Sequence, residues 1–181
     1  MHMRALSKLK HWLSREDGTA SIEFITIMPL AVAILLASGE ASMVSLRKTA
    51  LDRALEMTVR ELRLGQISNP TVADLRNRIC NRMNVLEDCA QNLTLELTVR
   101  STTSTGIISV PALTDLCINR ATNVAPVLLF QPGAANDLVL VRACLVQDYF
   151  FPTTANQISL ENRAGNEFRL IATTAFVNEP R

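Results

Sequence analysis

The residues able to do chemistry are few and unevenly spread along the 181 positions. The two histidines, His2 and His11, both fall in the first eleven residues, so the rest of the sequence offers no imidazole for a metal site or a His-based triad. There is no GxSxG, no phosphate-cradling glycine loop and no HExxH, and the carboxylates form no defensible acid–base pair. The expectation is a protein that is not an enzyme and that carries no cofactor and no metal. Two features remain. The first is a set of four cysteines, Cys80, Cys89, Cys117 and Cys144, none of them in a CxxC pair. An even count suits two disulfides in an oxidising compartment; buried free thiols of a cytosolic protein are the other reading. The second feature is an oddly placed acid. In "DGTASIEF", Glu23 stands at the opening of a long apolar run, five residues after Gly18. A carboxylate costs roughly 2.5–3.5 kcal/mol at the centre of a membrane helix and less near the interface. The helix macrodipole and water would hold such an acid in an ordinary anchor.

The element that must position Glu23 is a helix. Phe24 to Gly39 is a stretch of 16 residues without a charge, and the sequence stays mostly apolar to Leu46, interrupted by Glu40. A spanning helix needs roughly 20 apolar residues, so the run suffices with its flanks. The first 18 residues carry Arg4, Lys8, Lys10 and Arg15 against Glu16 and Asp17, a local charge of +2 in a chain of net +1. That bias places the N-terminal side in the cytoplasm and everything after about residue 45 beyond the membrane. The near-balanced total argues against nucleic acid as a partner. Beyond the apolar run, Leu51, Leu55, Val59 and Leu62 recur at helical spacing, with Arg47, Lys48, Asp52, Arg53, Glu56, Arg60 and Arg63 on other faces. One helix over 19–64 is predicted, about 70 Å long at 1.5 Å per residue. Gly65 is its expected C-cap, and Pro29 and Gly39 are candidate bends.

A second, short helix is predicted in "SNPTVADLRNRICNRM", with Asn69 as N-cap, Pro70 at the first helical position, and Val72, Leu75, Ile79 and Met83 on one face. The period then changes to two. "LTLELTVR" alternates as a half-buried strand, "APVLLF" is a short candidate strand before the turn-rich "QPGAAND", the nearly all-apolar "LVLVRACLV" (138–146) reads as a central strand with a buried helix segment as the alternative, and "EFRLIATTAF" alternates again. "STTSTG" and 150–166 read as loops. Content that is 48% hydrophobic but only 4% aromatic is largely aliphatic, which suits a membrane helix plus a β-rich core. The fold class is therefore α+β, a long N-terminal helix lying across a roughly four-stranded antiparallel sheet, with a second short helix. Four cysteines allow three connectivities; the preferred one joins Cys80 to Cys89, clipping the short helix to the first strand, and Cys117 to Cys144. "DYFFP" (148–152) is the one aromatic cluster, read as core or strand end, with a partner-docking patch as the alternative.

A basic leader, Gly18, then Thr19-Ala20-Ser21-Ile22, then Glu23-Phe24 and an apolar helix together resemble the prepilin signal. With Pro29, Glu40 and the basic continuation through Leu55, the segment is similar to the TadE-like proteins of bacterial tight-adherence (Tad/Flp) pili. "LFQPGAANDLVLVRACLVQDYFFP" and the ending "ATTAFVNEPR" resemble the same family more loosely. The resemblance implies a minor pilin or pseudopilin acting structurally in pilus assembly or initiation, and so in surface adhesion. It implies a cytoplasmic leader over 1–18, a helix over 19–64 that spans the inner membrane at about 24–45, and a periplasmic pilin-like domain over 65–181. Prepilin peptidase would cut between Gly18 and Thr19, recognising Glu23 and Phe24, and the new α-amine and Glu23 would be neutralised across subunits. The implied partners are that peptidase, the major Flp pilin, other Tad minor pilins and the inner-membrane Tad assembly platform. Glu40 is either an interfacial acid or a contact to Arg47 or Lys48 of a neighbouring subunit. A pseudopilin of a type II secretion system and a single-pass protein with a periplasmic binding module are the competing readings.

Overall fold

Helix α1 (Thr19–Arg63) dominates the computed structural model, which describes residues 19–83, 88–100, 116–120, 126–151 and 167–179. Its 45 residues span about 68 Å and continue through Pro29 and Gly39 without interruption. The two halves differ in what surrounds them. Ile22, Phe24, Ile25, Ile27, Leu30, Ile34 and Leu35 are all exposed, whereas Leu51, Ala54, Leu55, Val59 and Leu62 are buried. In the apolar half the hydroxyls of Thr26, Ser38 and Ser42 donate to the carbonyls of Ile22, Leu35 and Ser38 at 2.8–2.9 Å. These three hydroxyls are satisfied within the helix, which suits a lipid environment. The helix ends where expected. Gly65 has φ 67°, its N–H bonds the Leu62 carbonyl, and Gln66 N–H bonds the Glu61 carbonyl, the two bonds of a Schellman cap.

Helix α2 (Val72–Met83) follows, with Leu75, Ile79 and Met83 buried. Its N-cap is not Asn69. The Thr71 hydroxyl accepts the Asp74 N–H at 3.1 Å and the Thr71 carbonyl takes the Leu75 N–H, so Thr71 is the cap and Pro70 precedes it. Asn69 instead occupies the left-handed region (φ 54°) in the turn, a conformation its short polar side chain tolerates. Glu61 of α1 ties the helices together by reaching Arg78 at 3.3 Å and also Arg82, which donates to the Thr58 hydroxyl. A single turn, α3 (Cys89–Asn92), leads into the sheet.

Strands β1 (Leu93–Arg100), β2 (Leu138–Asp148) and β3 (Glu167–Val177) form an antiparallel sheet in the order β1-β2-β3. Among the described residues the sheet has three strands, not four. "APVLLF" contributes one parallel bridge, in which Leu97 N–H donates to the Leu129 carbonyl and Gln131 N–H to the Leu97 carbonyl, both at 2.9 Å. Between Pro126 and the 132–137 turn only residues 127–131 remain, too little chain for a ladder. The period-two reading of β1 and β3 is correct in register, and the nearly all-apolar β2 is the central strand. Leu93, Leu95 and Leu97 face α1 together with Val139, Val141, Ala143, Leu145, Phe168, Leu170, Ala172 and Phe176.

The expectation of a half-buried β1 needs correction, because its polar face is covered too. Thr94, Glu96 and Thr98 are buried. A second cluster of Leu116, Cys117, Cys144 and Val146 lies on that side, fixed by the Thr94 hydroxyl donating to the Leu116 carbonyl. There Glu96 and Arg142 sit directly across from each other and form a buried ion pair, Nε to Oε2 2.6 Å. The loops expected at "STTSTG" and over most of 150–166 lie outside the described residues.

Candidate functional site

The sequence-derived candidates fall into three places along α1. Gly18 and the leader lie outside the described residues, and Thr19 is the first described position, already helical. Glu23 and Phe24 are exposed on the apolar half, and Glu23 makes no ion pair with any described residue. The carboxylate thus projects from a lone apolar helix surface within about 6 Å, along the axis, of the Thr19 backbone.

Glu40 lies elsewhere in character. It is 1% exposed, and its two carboxylate oxygens accept the backbone N–H groups of Phe150 and Phe151 at 3.0 and 2.8 Å. Neither expected role describes this. Glu40 is not an acid facing the aqueous interface, and both oxygens are engaged inside its own chain. Arg47 and Lys48 are likewise engaged internally. The Arg47 guanidinium donates to the Asp148 carbonyl at 3.1 Å and lies 5.8 Å from the Phe168 ring centre, and Lys48 pairs with Asp52 one turn on. A sequence signal for Glu40 existed: carried back three turns from Leu51, the buried stripe lands on position 40. The aromatic cluster divides. Tyr149 stacks at 4.9 Å on Phe168 in the core, while Phe150 is 67% exposed.

At this same end Arg120 forks onto Asp148 at 2.7 and 3.1 Å, and that hydrogen-bonded pairing raises the guanidinium pKa further above its ordinary value. No protein-family model, curated protein or solved structure matches the chain. The site is therefore read from its own geometry. Among the described residues no group of three or more His, Cys, Asp or Glu is placed to hold a metal ion.

The opposite end of the domain is closed by the C-terminal residues. Asn178 Nδ2 donates to the carbonyls of Pro132 and Ala134, its backbone bonds Asp137 and Asn136, and Glu179 pairs with Arg63 at 3.0 Å. A hollow of about 390 Å³ lies between these groups and Pro70, and these pairings occupy much of its polar lining. Gly133 is required here, since φ is +77° and a Cβ would come 2.7 Å from Val139 Cγ2. The long helix is thus held to the domain at Glu40 and again at Arg63, with the core stripe between.

The cysteines pair as Cys80–Cys89 and Cys117–Cys144, the preferred connectivity, and no described cysteine is free. The first bond joins α2 to α3, and the second anchors the 116–118 segment to β2 beneath the buried ion pair. Closing the longer loop should matter more. The chain-entropy relation gives about 3.6 kcal/mol for Cys117–Cys144 and about 2.7 kcal/mol for Cys80–Cys89. Urea unfolding of C117A/C144A and C80A/C89A variants in detergent should show the first pair losing more stability, and the reverse order would contradict this ranking.

Proposed function

We propose that the chain is a minor pilin or pseudopilin of a tight-adherence (Tad) pilus, matured by prepilin peptidase and acting structurally in pilus assembly or initiation. The observation that carries the reading is Glu23. An acid that pairs with no described residue sits near the start of a helix whose first half is apolar and exposed and whose second half is locked to a domain. Among the described residues one helix is long and apolar enough to cross a membrane, with none of its most apolar window buried in the protein. Such a surface needs lipid before assembly and neighbouring helices after it. Hydrolysis of the Gly18–Thr19 bond adds water across it, leaving a carboxylate on the leader and a new α-amine on Thr19. That amine is positive at neutral pH, and neighbouring subunits can satisfy it with Glu23 in an apolar filament core. The second, stiffly held half of α1 transmits the helix position to the periplasmic domain.

Intact mass measurement of the membrane-extracted protein tests the processing step. A mature chain beginning at Thr19 and lighter by four hydrogen atoms for two disulfides is expected, and a retained leader defeats the proposal in favour of a plain anchored protein. Glu23→Ala should insert into the membrane at wild-type levels yet be lost from sheared pili and stall assembly. Normal piliation in that variant would remove the pairing from the account.

A further inference from the structure

We propose that Phe150 is a membrane-interface anchor, seated at the acyl–headgroup boundary of the leaflet facing the domain. The inference rests on α1 spanning the bilayer. It follows from where the Glu40 hydrogen bonds place Phe150 relative to the helix. The charge-free run from Phe24 to Gly39 covers only about 24 Å, whereas the hydrocarbon core is about 30 Å thick. Some 6 Å must be found at one end or the other. At the Glu23 end the next group is an exposed acid. At the other end the acid, Glu40, is 1% exposed and fully hydrogen-bonded, so it makes no demand for water.

The exposed helix surface beyond Glu40 is uncharged, with Ser42 and Ser45 beside its apolar residues. Met43 and Leu46 are 50% and 65% exposed, and the first cations are Arg47 and Lys48. Measured from Phe24, about 30 Å of core ends near residue 43, and Arg47 then lies at headgroup height, where long basic side chains settle. The Phe150 backbone is bonded to the Glu40 carboxylate at 3.0 Å, so this exposed residue is held beside α1 near position 40, on the apolar side of the Arg47, Asp148 and Arg120 group. Its neighbour Phe151 meets it edge to face at 5.1 Å, stiffening the pair. Attachment at Glu40, at the end of the exposed apolar run of α1, with Arg47 and Arg120 gathered on Asp148 beyond it, fits a bilayer boundary as the occupant rather than another protein.

The test uses the full chain reconstituted in phosphatidylcholine vesicles, with the single tryptophan removed (Trp12→Phe) and one probe returned at a time. Phe150→Trp should emit at blue-shifted wavelength, lose most of its emission to lipids brominated near the headgroup, and resist aqueous iodide. Val127→Trp, at a fully exposed position beside the middle of β1, should show the reverse. Leu35→Trp reports the anchor itself and should be quenched by lipids brominated deep in the chain. If Leu35→Trp is quenched and Phe150→Trp stays iodide-accessible, the anchor stands and the inference fails. A Phe150→Trp probe shielded from both lipid bromine and iodide means a protein covers the site, which also overturns it. An unquenched Leu35→Trp removes the spanning helix and the inference with it. Non-reducing gels showing both disulfides confirm that each variant is folded.

Discussion

Replacing Arg142 with Met, or Glu96 with Leu, should each lower the unfolding free energy by about 3–5 kcal/mol, while the double replacement should be more stable than either single one. The pair lies on the sheet face away from α1, with Glu96 8% and Arg142 4% exposed. Removing one partner strands a charge in a region where desolvation costs several kcal/mol per ion. Removing both exchanges the desolvated pair for apolar volume next to Leu116, Cys117, Cys144 and Val146, a setting where buried ion pairs are often neutral or better replaced. Chemical denaturation of the four proteins in the same detergent closes the double-mutant cycle. Losses that simply add would mean that the two groups act independently and that the ion pair is not a unit.

That pair marks the boundary of what the sequence made legible. Its members were visible only as the polar alternates of "LTLELTVR" and a lone arginine in "LVLVRACLV", and alternation alone assigns such residues to solvent. What buried them is a non-local event. The segment at 116–118 folds over the sheet and is fastened by Cys117–Cys144 and by the Thr94 hydroxyl. By contrast, the helix stripe Leu51–Leu62, its Gly65 cap and the three long strands follow from short-range periodicity and local turn chemistry, and they stand as expected. The short "APVLLF" run has strand-like composition, but its length and its proline allow a single bridge. The cap at Thr71 rather than Asn69 is a two-residue contest between similar polar groups, decided by which one the turn throws into the left-handed region. At the candidate site the split is the same. Glu23 stood out because a charge interrupts a local pattern, whereas the partners of Glu40 lie about 110 positions away in sequence.

Glu40→Ala should free the Phe150 end of the domain from α1. The substitution removes two charge-assisted hydrogen bonds, worth about 1.5–3 kcal/mol each, and leaves the Phe150 and Phe151 N–H groups without their acceptor. A total loss of about 3–6 kcal/mol is the upper range, because water entering the opened junction recovers part of it. Glu40→Gln should fall close behind. The amide keeps one acceptor oxygen but turns its NH₂ toward the second N–H, replacing attraction with two donors facing each other. The effect should be local before it is global. Backbone exchange at the Phe150 amide should accelerate sharply, while amides in β2 near Val141 and in α1 near Leu55, held by the core, keep wild-type protection at low denaturant. Hydrogen exchange followed by mass spectrometry on the detergent-solubilised full chain reads both regions in one sample. Unchanged exchange at Phe150 in Glu40→Ala would show that the 149–151 segment is held by something other than the carboxylate. Faster exchange there with an intact core would identify Glu40 as the joint through which the position of the apolar helix is imposed on the domain. Such a joint explains why an acid is kept at the very end of an apolar run: no shorter or neutral side chain at that helix position satisfies two consecutive backbone donors at once.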